Sequence, residues 1–410
     1  MGLRAFLFRA SYCLAFGSVI SSLVSIAASQ ILLGLSLAAL LLSGERIQFP
    51  PIRLPLGIFF LSTALALLLS GNMQSGLPQI RKFYVFTIVL VVYSTFKSLR
   101  QLQALILAWA GVGTVSALVG FGQYLHRSQE GVALHAEAYS YVLDGRITGF
   151  ASHWMTFGGE EMIVLLMLAS FLFVSGGPGW KIFAWPSLLV LIGAVILGMT
   201  RCIFLLGMPV GLIYLLWQRN WRLVAALPIV AAAGMVAAPA AIHERIISVV
   251  QPHGEEDSNS HRAVCRIVGW EMVKAHPWFG LGPEQVGKQF DHYVPPTVHR
   301  PLPHGWYGHL HNIYLQYWAE RGIFGLLAIL WLIAKCLLDF IRHLRRDVIS
   351  RGAKFVLYGA VAVTLAVLAE GFFEYNLGDS EVLASFLAVI ASGYVAIRYD
   401  TGRVTPVVPQ

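Results

Sequence analysis

Long apolar runs separated by short polar punctuation set the pattern of this chain. A helix crossing a bilayer uses about 20 mostly apolar residues. On that measure the runs predict twelve helices, near 11–27, 29–43, 54–71, 83–97, 102–125, 155–175, 182–199, 201–217, 222–241, 322–341, 353–374 and 382–397. Ser29-Gln30 is a weak separator between the first two, which leaves eleven as the alternative. The first run follows Arg4 and Arg9 and passes directly into a second apolar segment. It is longer than the roughly 7–15 residue core of a signal peptide and reads as a span, not as a cleaved leader.

Composition agrees with the pattern. Of 410 residues, 57% are hydrophobic and 12% charged, about half the charged share of soluble domains, and mean hydropathy is +0.68. A water-soluble globular enzyme is excluded, and the expected fold is an all-α polytopic membrane protein of about 12 transmembrane helices with a large outer loop containing short helices. Three sections follow: helices one to nine over 1–241, the long loop over 242–311, and three helices with a tail over 312–410. The four cysteines form no CxxC pattern and no disulfide framework.

The net charge of +8 resolves into topology. Sixteen of the 29 basic residues, from Arg4 and Arg9 through Arg345 and Arg346 to Arg398 and Arg403, fall in short segments on one side of a twelve-span chain. Positive residues in short loops mark the cytoplasmic side, so both termini are expected inside and the 242–311 loop outside. Arg81-Lys82 breaks the rule, a basic pair in a short outer loop that implies either a misplaced fourth span or an anionic partner. Twelve of 13 histidines lie outside, all except His343, and outer polar residues concentrate in 126–153 and 242–311. Glu255-Glu256-Asp257-Ser258-Asn259-Ser260 reads as a flexible solvated stretch. No nucleic-acid partner is expected.

Three groups can carry chemistry. Arg201, after Gly198-Met199-Thr200, opens the eighth span. It reads either as an interface anchor on lipid phosphate or as a planar guanidinium gripping a substrate phosphate. Arg262, Arg266 and Trp270 recur every four residues on one face of a helix that ends before Pro277. Two stacked arginines repel unless an anion lies between them, the alternative being an ordinary solvated face. His309 and His311 precede a helix beginning near Asn312, whose Tyr314, Leu315 and Trp318 follow helical spacing. Imidazole can take a proton from a sugar hydroxyl near neutral pH. An HxH pair can also bind metal, but no third ligand stands near it in sequence, and neither metal nor cofactor is expected. Arg146 and His153, ahead of the sixth span, read as a loop anchor or as part of a substrate groove. Glu374, Asn376, Asp379 and Glu381 read as a turn tied to the long loop by hydrogen bonds, with no catalytic part.

In their order these motifs resemble the O-antigen ligase superfamily of integral-membrane glycosyltransferases. The resemblance covers most of the chain. It runs through Thr200-Arg201, Arg262, Trp270, His276-Pro277 with the turn Gly280-Leu281-Gly282-Pro283, and the series His311-Asn312, Leu315-Gln316, Ala319-Glu320, Gly322 and Gly325. Cys202 replaces the small residue expected after the first arginine. Arg266 stands where a Trp is usual, which leaves Arg262 or Arg266 as the loop arginine, with Arg262 favoured by counting back from Pro277.

The resemblance implies a bacterial inner-membrane enzyme with its site facing the periplasm. Such a ligase transfers a glycan from undecaprenyl diphosphate to a hydroxyl of lipid A–core. Arg201 and Arg262 would hold the diphosphate, assisted by Arg266, and His311 would be the general base. Arg81, Lys82, His309, Asn312 and Arg146 would complete the substrate contacts, among surrounding membrane lipids. A polymerase or a protein O-oligosaccharyltransferase shares this donor chemistry. A lipid-linked sugar flippase is the alternative of another class, disfavoured because ionisable residues avoid the helix centres and no inverted repeat is present.

Overall fold

The computed structural model describes residues 2–175, 178–251 and 258–400. It is helical throughout, with no strand among the described residues. Glu255-Glu256-Asp257 and Arg403 lie outside the described residues.

Nine helices are long and apolar enough to cross a membrane among the described residues, and three further apolar helices are shorter, over Arg53–Leu69, Ile203–Arg219 and Trp221–Val236. Each predicted run therefore meets a helix. The chain is a polytopic membrane protein. In order, the helices are α1 (Leu3–Ser21), α2 (Ile26–Ser43), α3 (Arg53–Leu69), α4 (Met73–Arg81), α5 (Thr87–Thr95), α6 (Leu99–Ala133), α7 (Ala138–Asp144), α8 (Trp154–Val174) and α9 (Pro178–Leu197). They continue with α10 (Met208–Arg219), α11 (Trp221–Ala237), α12 (Ala240–Ile247), α13 (Ser258–Ala275), α14 (Val286–Gln289), α15 (Ile313–Leu344), α16 (Arg351–Glu370) and α17 (Ser380–Tyr399).

Where the boundaries moved, a local cause is visible. Ser29 is not a separator but an interior residue of α2. Its hydroxyl bonds the Ser18 carbonyl at 2.8 Å, and Ser36 and Ser11 repeat the exchange one heptad away, at 2.6 and 2.8 Å. Small hydroxyl residues let two helices approach closely and pair where no water competes. The break falls instead before Ser25, whose Oγ accepts from Ala28 N and caps α2. The predicted fourth span begins earlier than expected, because α4 and a 3₁₀ turn at Lys82–Tyr84 lead into α5.

Helix α8 is almost wholly buried and, apart from two glutamates near its start, apolar all round, as a helix surrounded by protein is. It packs against α6, α9, α10, α16 and α17, while α15 packs against α3, α13 and α16. Glu160 and Glu161 sit inside α8, and Glu370 closes α16, all buried. Hydropathy averaging over these runs concealed them.

The segment 242–311 has its own apolar core. Val264, Cys265, Val268, Met272, Val273, Leu281, Val286, Phe290 and Leu310 form a cluster that also takes in Ala319 of α15. The inner face of α13 supplies most of it. Ser258, Asn259 and Ser260, expected in a flexible stretch, form the first turn of α13. They are ordered because Arg201 binds two of them.

Candidate active site

The start of α15 fixes His311. Asn312 caps the helix, its Oδ1 accepting from Leu315 N at 2.8 Å, while its Nδ2 donates to Phe372 O at 2.9 Å. Ile313 N adds a bond to Gly371 O at 2.7 Å. The loop is thereby tied to the turn between α16 and α17, and that turn delivers Glu374.

Glu374 and the histidines form one cluster. His311 Nδ1 lies 3.2 and 3.3 Å from the two Glu374 oxygens, so Nδ1 carries the proton and donates it. His311 Nε2 is left buried without a partner, its lone pair available. This is the base-with-orienting-carboxylate arrangement of general base catalysis. His311 adopts φ 48°, a left-handed conformation uncommon outside glycine, held by the bonds at Asn312 and Ile313. His309 Nδ1 accepts from His311 N at 3.1 Å, and its Nε2 lies 3.8 Å from Glu374.

Arg262 Nη2 pairs with Glu374 at 3.2 Å, and its Nε is buried without a partner. Burial alone would raise the Glu374 carboxyl. The His311 hydrogen bond and charge, then Arg262 and His309, outweigh it and hold the carboxyl well below the usual range. Burial pushes His309 down to about 4 against the pull of Glu374, and burial followed by the neighbouring His311 does the same to His261. Both flanking imidazoles are therefore neutral near pH 7.

A second set of cations adjoins this cluster. Arg146 lies over the Trp154 ring at 4.1 Å and has a buried, unpartnered Nε. Arg245 is buried, donating to Met199 O at 3.0 Å and Tyr139 Oη at 3.3 Å. Neither Arg146 nor Arg245 forms an ion pair among the described residues. Burial, then the charges of Arg245 and Arg262, push Arg146 down to about 9. Clustered guanidinium groups without carboxylates repel one another and create a strong field for an anion.

The remaining predicted residues divide. Arg201 is buried; Nη1 reaches Ser248 O at 2.9 Å and Ser248 Oγ at 3.0 Å, and Nη2 reaches Ser258 Oγ at 2.5 Å and Asn259 Oδ1 at 2.8 Å. It stitches the end of α12 to the start of α13. Arg266 is exposed on α13 one turn beyond Arg262. Arg81 is exposed, and Lys82 donates to Gly378 O at 2.6 Å. Of the misfit pair, Lys82 thus finds its acceptor in the α16–α17 turn, and neither residue contacts Arg262 or His311 among the described residues.

The other motif residues act as a clamp. Leu281 N and Gly282 N donate to Ala319 O and Glu320 O at 2.8 and 3.0 Å. Gln316 accepts from Leu310 N at 2.8 Å and donates to Glu320 at 2.9 Å. Helix α15 breaks at Gly322 (φ 66°, ψ −176°), where Ile323 N reaches Pro277 O at 2.9 Å. A Cβ at Gly322 would stand 1.9 Å from Trp278 O. Glycine is required by both the conformation and the contact.

Residues 186–330 match the family model described as O-antigen ligase. The match supports the O-antigen ligase superfamily for this chain. No curated protein matches it. The superfamily stretch contains Arg201, Arg245, Arg262, His309 and His311, whereas Arg146 and Glu374 come from outside it. The cluster thus draws on groups from two segments outside the matched stretch.

Sequence reading missed Arg245, His261 and the part played by Glu374. The α16–α17 turn is tied to the loop as expected, but its carboxylate lies 63 positions from His311, beyond any local spacing. Glu374 also supplies the third ligand that the HxH pair lacked in sequence, since donor atoms of His309, His311 and Glu374 lie within 4.8 Å of one another. The Arg262 guanidinium already pairs with that carboxylate, and a cation of the same sign fits poorly beside it.

Proposed function

We propose that the protein is an O-antigen ligase, transferring a glycan from undecaprenyl diphosphate to a hydroxyl of lipid A–core at the periplasmic face of the inner membrane. The observation that carries the reading is His311, its Nδ1 on Glu374 and its Nε2 unpartnered among the described residues, in a cluster with Arg262 and near Arg146 and Arg245, which form no ion pair among those residues. In the reaction, Nε2 takes the proton of the acceptor hydroxyl as its oxygen attacks the anomeric carbon. The bond from that carbon to the phosphate oxygen breaks, and the lipid diphosphate leaves with the bonding electrons. Direct displacement inverts the anomeric centre.

Charge accumulates on the departing diphosphate, and cations already in place stabilise it without reorganisation. Arg262 and Arg146 are the first candidates for that contact, with Arg245 behind them. Arg201 serves as a positioning residue that holds α13, and Arg266 assists at the exposed rim. Glu374 orients His311 and stabilises the imidazolium. No metal or cofactor has a part in this reading.

The test is complementation of a ligase-deficient strain. His311→Ala and Arg262→Ala, inserted normally, should each lower glycan attachment by about 10²-fold or more, while Arg266→Ala should retain most of it. Normal attachment by His311→Ala would remove that residue from the mechanism. A knockout that accumulates lipid-linked polymer over bare lipid A–core indicates a ligase. Loss of long chains with single repeats still attached would indicate a polymerase instead.

A further inference from the structure

A glycosyl transferase must hold neutral sugar rings as well as a charged carrier, and the arginines above can only do the second. Pyranose rings present C–H faces that pack against aromatic rings, so a sugar subsite calls for a rigid, accessible aromatic near the base. Trp306 answers that description. It is 66% exposed, four residues ahead of the buried pair Leu310 and His311. Its neighbour Tyr307 packs on His261 and Phe290, with ring centroids at 4.5 and 4.6 Å, and donates to Pro303 O at 2.6 Å.

The indole is held in place despite its exposure. A Cβ on Gly308 would lie 2.0 Å from Trp306 Cζ2, so the ring rests directly on the Gly308 backbone. Gly305 is similarly pressed against His261, where a Cβ would come within 2.5 Å of the imidazole. The Trp306 ring meets His309 edge to face at 4.8 Å, and His309 meets His311 at 4.1 Å. An exposed tryptophan fixed this way loses little further entropy on binding a ligand.

We propose that Trp306 is the stacking platform for the acceptor sugar whose hydroxyl His311 deprotonates. The proposal rests on the transferase reading above. The acceptor is favoured over the donor because the platform adjoins the base through His309, while the donor's diphosphate belongs with the arginines. Exposed tryptophan also anchors membrane proteins at the bilayer interface, and the experiment separates the two.

Full-length protein in lipid nanodiscs would be assayed with lipid-linked glycan donor and varied acceptor. Trp306→Ala should raise the acceptor KM about tenfold, with kcat and donor KM within about threefold, whereas Trp306→Phe should keep most of the affinity. Gly308→Ala, which retains the indole but displaces it, should reproduce the acceptor defect. A rise in donor KM instead, a fall in kcat alone, or wild-type constants in Trp306→Ala would each overturn the proposal. An anchoring role would appear as reduced membrane insertion with unchanged KM and would likewise overturn it.

A second readout needs no turnover. Delipidated core oligosaccharide should quench tryptophan fluorescence of the wild type and of His311→Ala, and not of Trp306→Phe. If the wild type proves inactive but Trp306-dependent quenching persists, the transferase reading fails and the platform stands. Transfer with no Trp306-dependent quenching would sink the platform and leave the transferase reading intact.

Discussion

In the proposed reaction, His311 works as a base only in the company of Glu374. The carboxylate fixes the ring and its tautomer through Nδ1, leaving Nε2 as the acceptor. Glu374→Gln removes the charge while preserving the shape, and it should lower kcat about 10²-fold with KM little changed. An unchanged kcat would return Glu374 to a purely structural tie. The same cluster sets an acid limit on stability. Glu374 is held below its usual range and His309 and His261 are pushed down to about 4, so the unfolded chain binds more protons than the folded one in this interval. The histidine contributions are complete above about pH 6.5 and fade as pH falls toward 4, and the carboxylate contribution is lost below its ordinary range. Thermal unfolding in detergent should show a midpoint that declines over that window, and His309→Gln should flatten the decline. Chelators should leave transfer activity unaltered, and inactivation restored by a divalent ion would move His309, His311 and Glu374 into a metal site.

At the scale of elements, the interruption of α15 is the feature that makes the site. Its first part carries the Asn312 cap and the Gln316–Glu320 clamp, and its second part runs on as a span from Gly322. The turn at 277–283 bonds into this break, so the long loop and the helix share one joint. Gly322→Ala places a side chain in a conformation open essentially to glycine and against the Trp278 carbonyl. The strain alone costs about 1–3 kcal/mol. The variant should yield less folded protein and a lower unfolding midpoint, whereas Gly57→Ala, which meets nothing within 4 Å, should behave as wild type. Arg201 works at this scale as well, joining α12 to α13 so that Arg262 can face Glu374.

For the molecule as a whole, the twelve apolar helices among the described residues separate two polar ends. One end gathers the 242–311 segment and the α16–α17 turn. The other carries buried His343, which bonds Asp400 at 2.8 Å, with the basic residues of the α15–α16 connection nearby in sequence. The expectation from the charge pattern is that the first end lies outside. Single cysteines at exposed Lys274 and Arg345, in a background lacking the native four, would check it in intact cells. An impermeant thiol reagent should label Lys274→Cys directly and Arg345→Cys only after permeabilisation, and the reverse would invert the topology.

The sequence by itself determined the class of the molecule, because membrane helices are dictated by length and apolar composition, both local properties. It also marked His311, Arg201, Arg262 and the α13 face, since each stands in a short local motif and the motifs follow one another in a recognisable order. What it could not determine was which distant groups meet them. Counting back from Pro277 favoured Arg262 over Arg266, and the packing of α13 adds a physical difference, since Arg262 pairs with Glu374 while Arg266 is exposed. The same packing gave Arg201 its serine and asparagine partners and sent Lys82 to the α16–α17 turn. Glu374, Arg146 and Arg245 come from three other segments, and only tertiary packing brings Glu374 to His311 and sets Arg146 among the charges of Arg245 and Arg262. Hydropathy decides that helices form; the pairing of buried polar groups decides how they meet, and that depends on contacts no spacing along the chain records.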